Sequence, residues 1–289
     1  MRNSNLISCM VVVLVAYFGR ADAAVWNDFR VKYDINPIGN FNRQPQLESG
    51  AITLGWAPVT TGNDCQNGGE YLGFRYIMPG DNSLGLIYDV NGVIAGLQMM
   101  LPHDLILPNN TFNFGANTFF KNVTYDKEYF VLTAYIVEPE IICTTGRNES
   151  DLIDVGIGTG VWVQDGASPG TYLQIPDLRE EALNSGWSNN NCFGGMGTHS
   201  WYRMEDYEAT NCTEQVPVFG LWSRTMELQG FGFSVPGTTV NKNFENPPTV
   251  AMQLIAGAPA PQCLFDSNNL IGSTTMHVYF INNPWLIAC

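Results

Sequence analysis

The sequence predicts an all-β or β-dominated protein of two related antiparallel β units, sandwich- or barrel-like, joined by a short helix. Strand signals dominate, since short runs rich in β-branched and aromatic residues are bounded by Gly, Pro, Asn and Asp. Examples are FVLTAYIV, VGIGTGVWVQ, GFGFSV, TVAMQLIAG and TTMHVYFI. One segment favours a helix, PDLREEALNSG at 176–186, because Pro and Asp open it, helix formers fill it and Gly ends it.

Two apolar arms surround a polar centre in the stretch LGLIYDVNGVIAGLQM at 84–99. A calcium loop of the EF-hand type needs an oxygen ligand at its fifth position and a glutamate at its twelfth. Counted from Asp89, the fifth position holds Val93, and no glutamate stands at the twelfth. Asn91-Gly92 instead suits the positive φ angles of a type I′ turn. The stretch is therefore predicted to be a β-hairpin rather than a cation-binding loop.

Four pairs of similar segments occur in the same order in two parts of the chain. They pair 55–56 with 186–187, 85–102 with 220–236, 125–143 with 244–263, and 157–164 with 271–280. We therefore predict two diverged copies of one β unit. The predicted boundaries are a signal peptide at 1–23, an N-terminal extension at 24–46, repeat 1 at 47–170, a linker with the short helix at 171–186, and repeat 2 at 187–289.

The N-terminus has the pattern of a secretory signal peptide. Arg2 precedes an apolar run at 6–18, and the small-residue pattern Ala21-Asp22-Ala23 follows it. The apolar run is too short to span a bilayer. We expect cleavage before residue 24, no membrane anchor, and a secreted, extracellular protein.

Loss of the signal peptide would remove Cys9 and leave six of the seven cysteines. An even number in an oxidising compartment favours three disulfides. A zinc site is the weaker alternative because no two cysteines stand at ligand spacing, and no metal is expected. The match between the two copies predicts the pairs Cys65–Cys143 and Cys192–Cys263, which leaves Cys212–Cys289.

Four glycosylation sequons agree with export. Their acceptor residues are Asn109, Asn122, Asn148 and Asn211. We expect two or three of them to be used. Asn211 is doubtful because the middle residue of its sequon is Cys212, which we expect to be bridged.

The composition excludes some classes of function. A net charge of −14 disfavours binding to nucleic acid or to anionic lipid. A hydrophobic content of 45% with 12% aromatic residues supports a folded core and excludes disorder. The glycine-rich GIGTG at 156–160 continues as a strand rather than a helix, so no dinucleotide loop and no cofactor is expected.

Three histidines are the candidates for catalysis: His103, His199 and His277. A hydrolase could pair His199 with Ser200, or His103 with Asp104. No nucleophile-elbow motif supports that, and the histidines fall at non-equivalent places in the two copies. Carboxylate pairs for glycoside hydrolysis are a further option, at Glu138 with Glu140 or Glu205 with Asp206.

Aromatic residues offer a binding alternative to catalysis. Trp201, Tyr202 and Trp222 could form platforms on which sugar rings stack. The competing interpretation is that these large side chains pack in the core.

Two segments, PGDNSLGLIYDVNGVIAG and TTMHVYFINNPWLIAC, resemble secreted invertebrate proteins to which no activity is assigned. The resemblance covers roughly a third of the chain. It implies secretion but no site residues and no chemistry.

We therefore expect an extracellular binding or structural glycoprotein that performs no catalysis. Its partner could be a sugar, a small apolar ligand or another extracellular protein. The alternative is a secreted hydrolase that uses carboxylates or a histidine of repeat 2. A histidine in a deep cleft beside a carboxylate would favour the enzyme, whereas a dry cavity inside one unit would favour a carrier of apolar ligands.

Overall fold

The computed structural model describes residues 26–32, 39–59, 65, 69–166 and 168–289, so the predicted signal peptide lies outside the described residues. The strands are β1 (Arg30–Lys32), β2 (Phe41–Arg43), β3 (Ala57–Val59), β4 (Phe74–Met78), β5 (Asp81–Tyr88), β6 (Ile94–Pro102), β7 (Lys121–Thr124), β8 (Glu128–Tyr135), β9 (Val161–Gln164), β10 (Tyr172–Ile175), β11 (Cys192–Phe193), β12 (Gly197–Trp201), β13 (Val218–Trp222), β14 (Leu228–Pro236) and β15 (Ser273–Tyr279). The α-helices are α1 (Glu48–Thr53), α2 (His103–Ile106), α3 (Pro139–Ile142), α4 (Asp151–Asp154), α5 (Arg179–Leu183), α6 (Thr249–Ala256) and α7 (Gln262–Ile271). Three 3₁₀-helices cover Phe114–Ala116, Met204–Thr210 and Pro284–Leu286.

Two antiparallel sheets make up the fold, which confirms the β-dominated prediction. The first sheet has eight strands, in the order β10-β9-β8-β6-β5-β4-β3, with β7 paired to β8. The second has seven, in the order β11-β12-β13-β14-β15-β1-β2. The boundaries differ from the predicted ones at two places. The segment predicted as an N-terminal extension supplies β1 and β2 to the second sheet, and the predicted linker supplies β10 to the first.

One hydrophobic core lies between the sheets. Strand residues alternate between faces, and the inward set includes Leu86 and Leu97 of the first sheet with Phe231, Phe233 and Val278 of the second. The outer face of each sheet carries a separate cluster. On the second sheet that outer cluster lies beneath α6 and α7.

Four strands of each sheet correspond: β4, β5, β6 and β8 of the first sheet match β12, β13, β14 and β15 of the second, and β7 has no counterpart among the described strands of the second. In the first sheet Gly96 on β6 pairs with Tyr135 on β8, and in the second Gly230 on β14 pairs with Tyr279 on β15. A Cβ on Gly96 would collide with the carbonyl oxygen of the neighbouring strand, and so would one on Gly230. Both hairpins also carry a register shift one residue before their turn. These shared irregularities fix which residues are equivalent.

Helices α1 and α5 also occupy equivalent positions. The backbone N–H of Glu48 donates to Gly92 at 2.8 Å, and that of Arg179 donates to Met226 at 2.9 Å, so each helix starts against the hairpin of its own unit. Each is followed by the Gly-Trp pair that the sequence shares. The predicted short helix is confirmed as α5, whereas α1 was missed by the sequence analysis.

Two of the four predicted segment matches are wrong. The run TVAMQLIAG, predicted as a strand, is helix α6, which begins after Pro248 and ends at Gly257 with φ +66°. It therefore cannot match β8, whose counterpart is β15. The match of 157–164 with 271–280 is wrong for the same reason, because 271–280 contains β15.

The disulfides follow the corrected correspondence. Cys65–Cys143 is present as predicted. The predicted Cys192–Cys263 and Cys212–Cys289 are wrong, since the structure has Cys192–Cys289 and Cys212–Cys263. Cys143 follows β8 and Cys289 follows β15, so Cys192–Cys289 is the equivalent of Cys65–Cys143. Cys212–Cys263 belongs to the second unit alone.

The predicted hairpin at 84–99 is present, with β5 and β6 as its arms. The Asp89 carboxylate accepts hydrogen bonds from the backbone N–H groups of Asn91, Val93 and Arg147, at 2.9, 3.0 and 2.8 Å. Gly92 alone takes a positive φ, of +76°, in a three-residue loop rather than a two-residue type I′ turn. Asp89 is thus a turn residue whose oxygens are already occupied.

All four sequon asparagines are exposed, whereas Cys212 in the sequon of Asn211 is buried and bridged. Across the part of the chain that the structure describes, no helix is long and apolar enough to cross a membrane.

Candidate functional site

A pocket of about 160 Å³ opens on the outer face of the second sheet, beneath helix α6. Its walls are mostly apolar and include Met196, Trp201, Phe219 and Met252. Its floor carries His199, His277 and Glu245. An apolar pocket with a few converging polar groups is the usual form of a small-molecule site.

The strand pattern explains how the two histidines reach the same place. His199 on β12 and His277 on β15 both point to the outer face, because their neighbours Ser200 and Val278 point inward. Between them, β14 presents Gly230 and Gly232 on that face. Since neither glycine has a side chain, the imidazoles can approach each other across two intervening strands.

The floor forms a chain of three groups. His277 Nδ1 lies 2.9 Å from Glu245 Oε1, and His277 Nε2 lies 3.3 Å from His199 Nε2. All three residues are nearly inaccessible to solvent, with exposed fractions of 1% for His199, 4% for His277 and 3% for Glu245. The backbone of Glu245 is held by two hydrogen bonds with Thr275, both 2.8 Å long. These hydrogen bonds fix Glu245 beside β15, next to His277.

Burial shifts the pKa values of two residues at or next to the floor of the pocket, His199 and Tyr279. It lowers the pKa of His199 well below the usual range, and the nearby His277 imidazole adds to that effect. His199 is thus neutral at physiological pH. The Glu245 carboxylate lies beside Nδ1 of His277, where it can accept a hydrogen bond from that nitrogen. Burial, and then the charge of Glu245, raises the pKa of the Tyr279 hydroxyl below them.

The equivalent place in the first unit has a different, closed arrangement. By strand register, His199, Gly232 and His277 correspond to Arg75, Gln98 and Thr133. Gln98 accepts a hydrogen bond from Arg75 at 2.8 Å and donates one to Thr133 at 3.0 Å. In the first unit these three side chains are therefore linked by hydrogen bonds, whereas in the second two imidazoles face a pocket.

No hydroxyl nucleophile is positioned beside the histidines among the described residues. Ser200, the partner suggested by the sequence, is buried on the opposite face of β12. The Thr275 hydroxyl lines the pocket, but it donates to the Glu245 carbonyl oxygen at 3.3 Å. The Glu245–His277 pair could act as a general base only on a water or on a ligand's own proton.

His103 does not join this site. It lies at the end of β6, where its ring packs 3.8 Å from that of Phe130 and its Nδ1 is 3.4 Å from Glu128. The proposed carboxylate pairs are also surface groups. Glu138 and Glu140 accept hydrogen bonds from the hydroxyls of Thr159 and Tyr172, and Glu205 is exposed.

Of the three aromatic candidates, only Trp201 lines the pocket. Trp222 is fully buried between the sheets, and its indole N–H donates to the Pro176 carbonyl oxygen at 3.3 Å. Tyr202 packs against Trp187 with ring centroids 5.3 Å apart. Two of the three therefore serve packing, and they do not form a shared platform.

Sequence reasoning missed Glu245 and the α6 wall. The predicted match of 244–263 with 125–143 treats the segment around Glu245 as a strand of repeat 2, and this places Glu245 away from β15. Its one available signal was a lone carboxylate in an otherwise uncharged stretch, FENPPTVAMQLIAG.

Within the parts of the chain that the structure describes, no group of three or more His, Cys, Asp or Glu residues has the arrangement of a metal site. Comparisons with protein-family models, with curated proteins and with solved structures give no match to this chain. The chemistry of the pocket must therefore be argued from its own residues.

Proposed function

We propose that this is an exported glycoprotein that binds one small, mainly apolar ligand in the pocket of its second unit. The observation that carries the proposal is the pocket itself, with its apolar walls and buried His199–His277–Glu245 floor. A polar floor beneath apolar walls suits a ligand with a hydrocarbon body and one hydrogen-bonding group.

Export is supported by three independent features. The N-terminal pattern at 1–23 is that of a signal peptide. The six remaining cysteines form three disulfides, which persist in oxidising compartments. The four sequon asparagines are exposed, and we expect glycans at Asn109, Asn122 and Asn148.

We also propose that the two units arose by duplication. Their equivalent glycines, register shifts, helices and disulfides support this. The presence of Gly232 where the first unit has Gln98 then accounts for the open space at this position of the second unit.

The volume limits the ligand. An apolar cavity of about 150 Å³ holds a single benzene ring, so about 160 Å³ suits one ring or a short alkyl chain. The floor can exchange a hydrogen bond with a hydroxyl or amine on that ligand. One such bond contributes about 1 kcal/mol, which is roughly a fivefold gain in affinity.

Calorimetric titration with p-cresol and toluene tests the proposal, because the two differ mainly by a hydroxyl. We expect both to bind, and p-cresol to bind about fivefold more tightly. Ala251 lines the pocket and its neighbour Val250 points to solvent with 66% exposed. Ala251→Trp should therefore weaken both ligands at least about tenfold, whereas the matched control Val250→Trp should leave them unchanged.

Failure of both ligands to bind at millimolar concentration would exclude this class of ligand. Equal loss in the Ala251 and Val250 variants would show that binding lies elsewhere.

A hydrolase is the second candidate, favoured by the 2.9 Å contact between His277 and Glu245. The pair would act as general base on a water that attacks a small ester in the pocket. We would then expect Glu245→Gln to reduce hydrolysis of 4-nitrophenyl acetate about a hundredfold or more, and the exposed control Glu140→Gln to leave it unchanged. Equal rates in the wild-type protein and in Glu245→Gln would exclude this candidate.

A further inference from the structure

We propose that His199 and His277 bind one copper or zinc ion through their Nε2 atoms at the floor of the pocket. The inference goes beyond ligand binding, because the ion can be measured when no organic ligand is present. The ion would give the pocket a Lewis acid that a lone pair of the ligand could coordinate.

The separation of the two nitrogens fits this ion. Imidazole nitrogens bind zinc at about 2.0–2.1 Å, and a tetrahedral angle then places two of them about 3.3 Å apart. The observed separation is 3.3 Å. The same separation allows an N–H···N hydrogen bond between the two rings when no ion is bound.

The orientation of His277 fits as well. Histidine ligands commonly donate their other ring N–H to a carboxylate, which fixes the ring and raises its basicity. Glu245 lies 2.9 Å from Nδ1 of His277, on the side away from His199. The carboxylate would thus position His277 while its Nε2 lone pair faces the ion.

Two protein ligands leave open coordination positions on the pocket side. A water or a ligand could take them, as in catalytic sites that keep a position free. Met196 and Met252 line the same pocket, and thioethers suit copper(I) in particular. The walls therefore favour copper, whereas the two imidazoles alone suit either metal.

The test uses the full secreted protein, stripped with a chelator and dialysed against zinc or copper. We expect one ion per chain by mass spectrometry of the metal content, and nitrogen hyperfine coupling in the electron paramagnetic resonance spectrum of the copper(II) form. The variants His199→Phe and His277→Gln should each lose the ion. Glu245→Gln should bind it about 10–100-fold more weakly, as other changes to a ligand's carboxylate partner do.

His103→Gln is the matched control, because it removes a histidine that lies outside the pocket, and it should keep the full stoichiometry. Near-ultraviolet circular dichroism and non-reducing peptide mapping identify the variants that keep the native fold, and only these are compared. A wild-type protein that binds neither metal at 100 μM would overturn the proposal. So would a folded double variant of His199 and His277 that binds as the wild type does. Neither result bears on the binding of p-cresol, which is measured with metal-free protein.

Discussion

The disulfide between Cys212 and Cys263 joins helix α7 to the segment that follows the 3₁₀-helix at 204–210. Helix α7 packs beside α6, which covers the pocket. It closes a loop with a sequence separation of 51 residues. The chain-entropy model gives a stabilisation of about 4 kcal/mol for a loop of that length. Because Cys212 is buried among apolar side chains, alanine is the replacement that best keeps the packing.

We therefore expect the double variant Cys212→Ala/Cys263→Ala to unfold in urea with a free energy about 4 kcal/mol below that of the wild type. The single variant Cys212→Ala should expose a free thiol at Cys263, detected by maleimide labelling and peptide mapping. The pairing predicted from the sequence would free Cys289 instead. Label on Cys289, or a loss of stability below about 1 kcal/mol, would refute this reasoning.

Two further predictions concern the irregularities that the units share or do not share. Thermal unfolding should show that Gly96→Ala and Gly230→Ala each cost about 1–3 kcal/mol of stability, because the new Cβ would meet the backbone of the adjacent strand. The control Gly194→Ala should cost less than about 0.5 kcal/mol in that assay, because Gly194 has open space around it. Gln98→Leu should cost about 1.5–3 kcal/mol, since it removes the hydrogen bond that the buried Arg75 side chain donates to it. A near-neutral effect of Gln98→Leu in urea unfolding would show that this polar chain does not stabilise the first unit.

The sequence predicted the hairpin at 84–99 and helix α5 correctly, because residues within each of these segments determine its structure. The hairpin at 84–99 follows from its alternating apolar residues and its Asn-Gly turn, and both arms are present. Helix α5 follows from good helix formers between an opening Pro-Asp and a closing Gly. The turn type was predicted wrongly as type I′. The Asp89 carboxylate accepts hydrogen bonds from three backbone N–H groups, and one of them belongs to Arg147, 58 residues away.

Helix α6 shows why a short apolar run is ambiguous. TVAMQLIAG is as rich in apolar residues as a buried strand, and its period cannot separate the two structures over so few residues. The pair Pro247-Pro248 in front of it and Gly257 behind it were the better signals, since proline opens helices and glycine ends them. Because TVAMQLIAG was predicted to be a strand, the segment 244–263 was matched to 125–143. That match made Cys263 the equivalent of Cys143, and two of the predicted disulfides were therefore wrong.

The candidate site could be found in part. His199 and Trp201 stand two residues apart and share a face of β12, so their proximity is a local property. Their meeting with His277 depends on the order of strands across the sheet, and the position of Glu245 depends on a loop that returns beside β15. Neither follows from spacing along the chain.

The contrast between Gln98 and Gly232 explains why the second unit is where a ligand should be sought. Both residues lie at the centre of the outer face of their sheet, and the residues paired with them on the neighbouring strands occupy equivalent positions. In the first unit a glutamine side chain fills the space and satisfies its neighbours. In the second unit a side chain at Gly232 would collide with the ring of Phe219 and the backbone at Met276. The space above the histidines of the second unit therefore stays open as a pocket, and this is where a ligand should be sought.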